Sequence, residues 1–269
     1  MVLVDAAALA PFRRFSLYNS PYPAHDRGCA IDLYPPSDTD AAASPVAGTV
    51  VATREVRAPT REYAAATDHL IVIDTGTHLA RVLHVDPAVS EGAAVAVGDP
   101  LGRLVTSGYA APWVPDHVHL GFRAPDADPF RARGSVPVAV GPTVTPLAWD
   151  GTGTVVDVGE TYATLDAPVA AEGFGGVGAA GGVLDGGLPH YAGGGLLGGR
   201  EGTVQLLGTP IGTATGRDLA WADVTVMVGD TPIEGMALSV GRDDRGVKLV
   251  CPDHDLAVGD RVAVTVVPT

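Results

Sequence analysis

The sequence predicts an all-β protein in two parts, and three observations predict it. Short runs rich in Val, Ile, Leu and Thr recur along the chain between Gly, Pro and Asp, the pattern of short strands joined by turns. Helical periodicity is almost absent. With 269 residues, the chain is long enough for one large or two ordinary domains, each with its own core.

Strands in the first part are expected in "GCAIDLY", "GTVVATREV", "HLIVIDTG", "HLARVLHV", "DPLGRLV" and "HVHLGFR". Proline-dotted sequence between about residues 124 and 148 closes that region, so the chain divides near residue 145, into a first domain over 1–145 and a second part over 146–269. Within the second part, residues 173–199 hold thirteen glycines. A flexible linker and a partly buried turn segment are equally good readings of that stretch, since Val, Leu, Phe and Tyr are interspersed among the glycines. Further strands are expected in "GTVVDVG", "ETYATLDA", "GTVQLLGT", "ADVTVMVG", "MALSVG", "VKLVC" and "RVAVTVV", forming a small C-terminal β domain that shapes access to a site or mediates self-association.

Charge limits the partners. The formal net charge is −14, and Lys248 is the single lysine against 16 arginines. Such a field repels nucleic acid phosphate and anionic membrane, so neither is expected as a partner. Abundant Asp and Glu with scarce Lys is the composition of salt-adapted proteomes, and a halophilic archaeal source is the compositional expectation. The apolar runs are all interrupted well before the ~18 residues of a membrane span. The start, "MVLVDAAALAPFRRF", meets Asp5 at once and carries its arginines after the apolar stretch, the reverse of a secretory signal, which makes a cytoplasmic location the expectation. Cys29 and Cys251 are too few and too far apart for a disulfide framework.

The chemistry concentrates in "PDHVHLGFR", residues 115–123. Side chains at i and i+2 of a strand share a face, so His117 and His119 point into one space, which suggests a metal, or a metal beside a proton carrier. A zinc hydrolase needs three protein ligands and an open position. The first half supplies His25, Asp32, His84, His117 and His119, with Asp26, Asp86 and Asp116 close in sequence to three of them.

"HDRGCAIDLYPP", "SPVAGTVVA", "HLARVLHVDPAVSEGAAVAVGDPLG" and "HVHLGF", in this order, resemble the lysostaphin-type zinc metallopeptidase family over roughly residues 20–123. The resemblance implies an antiparallel barrel or sheet related to the biotinyl/lipoyl type, and a Zn²⁺ held by His25, Asp32 and His119. His84 and His117 then take the places of the family's two catalytic, non-ligand histidines. Six residues separate His25 from Asp32 where the family has three, and Cys29 stands at the three-residue spacing. Cys29 therefore competes with Asp32 as a ligand, and the flanks of "AIDLYPP" favour Asp32.

The function so implied is hydrolysis of a peptide or amide by a metal-activated water. The family's usual substrates, short glycine-containing cell-wall bridges outside the cell, are not expected to carry over to a chain whose start does not read as an export signal. The alternative is a non-catalytic metal-binding or interaction module on the same fold. A biotinyl or lipoyl carrier is excluded, because the only lysine, Lys248, falls on an expected strand rather than a hairpin tip. His69 and His78 are expected to be structural, and His190 and His254 to lie in loops.

Overall fold

The computed structural model describes residues 1–169, 172–242 and 246–269. It is all-β with antiparallel sheets throughout most of its length. Among the described residues, the helical elements are the four-residue turn Ala6–Leu9, capped by Asp5, and a 3₁₀ stretch Pro23–Gly28. Among the described residues no helix is long and apolar enough to cross a membrane. The chain forms two compact units: Met1–Phe15 with Tyr22–Pro142, and Ser16–Pro21 with Thr143–Thr269.

Five strands of the first unit position the residues of interest: β1 (Ala30–Tyr34), β2 (Gly48–Val56), β3 (Asp68–Asp74), β4 (Leu79–Leu83) and β5 (Val118–Arg123). They pair antiparallel in the order β2, β3, β4, β5, β1, with the short strand Ala94–Val95 on the outer edge of β2. Register follows from apolar alternation. Val118 and Leu120 lie opposite Leu33 and Ile31 of β1, and Leu120 and Phe122 lie opposite Val82 and Ala80 of β4. All of these are buried, so one face of the sheet is a packed apolar core.

The same alternation puts His117, His119, Gly121 and Arg123 on the other face, beside Asp32 of β1 and Leu83 and Arg81 of β4. This polar face is also buried, because β1 and β5 are covered along their full length on both sides. A second small sheet of Ala41–Ala43, Pro100–Leu104 and Val85–Pro87, and a parallel pair of Val2–Val4 with Val138–Val140, complete the unit.

In the second unit the glycine-rich segment is neither linker nor turn. It forms the strands Phe174–Ala179, Gly182–Leu188 and Gly194–Leu197, nearly all of whose residues are buried in the sheet. Several of the glycines leave space for neighbouring backbone, and others leave it for aromatic rings. A Cβ at Gly194 would sit 2.2 Å from the Trp221 ring, and one at Gly195 would sit 2.3 Å from the Tyr18 ring. Lys248 lies on the strand Lys248–Val250 and is buried, its Nζ 3.9 Å from the centre of the Tyr162 ring.

Replacing Gly195 by alanine forces the Tyr18 ring off its seat. Chemical denaturation is expected to show a loss of about 1–3 kcal/mol, the usual cost of overpacking, whereas Gly181→Ala, in open space at a turn, tests only the smaller backbone cost of its φ of +81°.

Candidate metal centre

Asp32 and His119 lie directly opposite each other in the β1–β5 ladder, with His119 Nδ1 2.9 Å from Asp32 Oδ1. The third member arrives from outside the sheet. His25 sits in the 3₁₀ stretch Pro23–Gly28, which is broken by extended backbone at Asp26 and a left-handed Arg27 with φ of 55°. That break absorbs the long spacing to Asp32 and turns the imidazole inward. His25 Nε2 lies 3.2 Å from His119 Nδ1 and 3.3 Å from Asp32 Oδ1.

Three ligands bound at ~2.0–2.2 Å to a tetrahedral zinc stand about 3.3–3.6 Å from one another. The observed edges of 2.9, 3.2 and 3.3 Å are close to that triangle, so these three atoms would fit as ligands of one such ion. Among the described residues this is the one group of His, Cys, Asp and Glu that can hold a metal ion, and all three members are buried. Cys29 is buried, in no disulfide, and outside the cluster.

The two remaining histidines border the triangle without belonging to it. His117 donates from Nδ1 to the Pro115 carbonyl at 2.9 Å, which leaves Nε2 as the open nitrogen, 3.6 Å from Asp32 Oδ1. The ring also packs against Tyr34, with centroids 5.1 Å apart. His84 follows β4, where strand alternation would turn it to the opposite face from Leu83. Its φ of 68° breaks that alternation. The imidazole thereby lies 5.0 Å from the His117 ring and 5.7 Å from that of His119, centre to centre.

A residue that sequence reasoning passed over fixes His84. Asp68 opens β3 and is fully buried. Its carboxylate accepts from His84 Nδ1 at 2.7 Å, from the His84 backbone N–H at 3.1 Å, from Ser107 Oγ at 2.6 Å and from the His69 backbone N–H at 2.7 Å. The signal is present in "TDHLIVI", where an aspartate leading into an apolar strand needs a partner if it is buried. His69 lies 3.7 Å from Asp86. Among the described residues, His69, His78, His190 and His254 are outside the metal-competent group; His254 caps a loop by bonding the carbonyls of Gly159 and Tyr162.

The electrostatics follow from burial and pairing. Burial alone would raise the Asp32 carboxyl, but the electrostatic influence of the His25 and His117 rings and hydrogen bonds from His119 and His25 hold it well below the usual carboxylate range. Asp68 is likewise held low, against the desolvation of burial, by bonds from His84, Ser107 and His69. Burial depresses both His117 and His119, the latter to about 4, so both rings are neutral at pH 7 and have a nitrogen lone pair to offer.

A family model described as "Domain of unknown function (DUF8155) N-terminal domain" matches residues 3–140, and the corresponding C-terminal domain model matches residues 145–267. The chain belongs to the DUF8155 family. No curated protein and no solved structure matches it. The whole candidate centre of this DUF8155 chain lies within the N-terminal match, as do Asp68 and His84.

Because His119 is depressed on folding, the unfolded chain binds more protons between the two pKa values, and stability rises with pH across that window. The contribution is complete above the usual 6.5 and is lost as pH falls towards about 4. Chelator-treated protein is therefore expected to lose unfolding free energy as pH drops from 6.5 to 4, measured by urea denaturation. A profile flat over that range would contradict a neutral buried His119.

Proposed function

We propose that the first unit is a zinc-dependent hydrolase acting on a peptide or amide, on the lysostaphin-like pattern that its motifs resemble. The observation that carries this reading is the triangle of His25, Asp32 and His119 flanked by two histidines that are not part of it. Two imidazoles and a carboxylate suit zinc and leave a fourth position open. When bound, zinc supplies Lewis acidity, which makes water a nucleophile at neutral pH and polarises a carbonyl.

The chain's own residues supply the proton handling. His117, fixed by Pro115, presents a basic Nε2 beside the ligand triangle and accepts the proton of the attacking water. His84, when protonated, presents Nε2–H to the oxyanion that develops on the carbonyl oxygen. Asp68 positions that ring by fixing its Nδ1 proton, as the carboxylate of a catalytic triad does. Hydrolysis balances as OH added to the carbonyl carbon and a proton delivered to the leaving nitrogen as the C–N bond breaks.

A cavity of about 620 Å³ in the first unit is bordered by Tyr34 and Pro115, the groups that contact His117, while none of the five site residues lines it. A second reading, a metal-binding module without catalysis, is favoured by the burial of all five residues, none of them more than 7% exposed.

Elemental analysis of purified protein is expected to find near-stoichiometric zinc that His119→Ala abolishes; no zinc after reconstitution would overturn the proposal. His117→Ala and His84→Ala are expected to retain zinc and to lose turnover of a peptide library by ~10²–10⁴-fold each, the usual scale for a lost proton carrier. Asp68→Asn is expected to lower kcat with KM little changed. Zinc with no turnover in the wild type on any amide would favour the module.

A further inference from the structure

Arg81 lies on β4 directly opposite Gly121 of β5, one side-chain row along from His119 on the same face. It is 6% exposed, and Val72 on its other flank is fully buried. Its Nε has no hydrogen-bond partner, and among the described residues no carboxylate or carbonyl accepts from its guanidinium. The charged and titratable groups that act on it are another cation, Arg123, and the Tyr109 phenol; no acid is among them. Burial, with Arg123 adding to it, lowers its pKa to about 10, which leaves the guanidinium charged at neutral pH.

Arg123 does not relieve this imbalance. It is 1% exposed, and its donors go to Ser135 and to the carbonyls of Phe122, Arg131 and Ala132, neutral groups all. Two cations thus share one buried face without a carboxylate partner, while the carboxylates of that face, Asp32 and Asp68, are engaged by histidines. A buried charge is retained at such expense only when something pairs with it.

We infer that Arg81 is the binding group of an anion subsite next to the metal centre, and that its ligand is the free carboxylate of the substrate. The inference rests on the hydrolase reading and names its substrate class: an amide whose leaving half carries a carboxylate, as in the C-terminal residue of a peptide or an N-acyl amino acid. Arg81 follows His119 by one side-chain row, about 7 Å along the strand, on the scale of one to two peptide residues. A planar guanidinium matches a carboxylate with two parallel hydrogen bonds.

The test uses the full chain and the probes N-acetylglycine, N-acetylglycine methylamide and inorganic phosphate, with thermal melting and calorimetric titration at constant chloride. N-acetylglycine is expected to bind and raise Tm, and the uncharged methylamide to do neither. Arg81→Met is expected to abolish that binding and, by removing an unpaired buried charge, to melt above the wild type when no anion is added. Arg81→Lys keeps the charge and is expected to bind at least tenfold more weakly, which tests the subsite even where Arg81→Met folds poorly. Equal binding of the acid and its methylamide would overturn the inference, as would phosphate binding more tightly than the carboxylate. Zinc content is measured on the same samples: carboxylate binding without zinc would remove the hydrolase reading and leave the anion subsite standing, and zinc without carboxylate binding would do the reverse.

Discussion

The first unit depends on one cross-strand pair. Asp32 and His119 face each other across β1 and β5, and the bond between them sets the register in which the buried polar face of the sheet faces away from its apolar core. A slip of one residue would drive His117, His119 and Asp32 into the space held by Leu33, Leu120 and Val82. The apolar alternation and the polar pairing therefore enforce the same alignment. The carboxylate tolerates burial because imidazoles surround it, and the imidazoles stay neutral because they are buried.

The strand-borne features were legible in the sequence, because a period of two residues is visible without a fold. "HVHLGFR" and "AIDLY" each announce a shared face, and the all-β class follows from the short apolar runs. What was not legible was set by backbone that leaves the period. The approach of His25 depends on the left-handed Arg27, and the ring of His84 reaches the centre through a positive φ that a valine-rich strand end does not advertise. The glycines of 173–199 misled in another way. Their composition suits a linker, and only their buried strands, with neighbouring backbone and the Tyr18 and Trp221 rings against them, show that they are core.

Asp68 and Arg81 show how one face handles opposite charges. Asp68 is fully buried but surrounded by four donors, so its charge is spread over a network that also fixes a histidine. Arg81, of comparable burial, has another cation and a phenol for neighbours. The chain's large excess of acid lies elsewhere and does not reach it, so surface composition gives no guide to the electrostatics of this interior.

The second unit contains six residues that the chain lays down early. Ser16 Oγ donates to Asp185 Oδ1 at 2.5 Å and the Leu17 N–H to Asp185 Oδ2 at 2.6 Å, while Tyr18 packs on Gly195 and bonds Asp218. The two family segments, 3–140 and 145–267, therefore do not coincide with the two folded bodies. A gene cut between them would separate a buried aspartate from two of its donors. For a ribosome, it follows that residues 16–21 must wait for more than a hundred later residues before the structure they belong to exists.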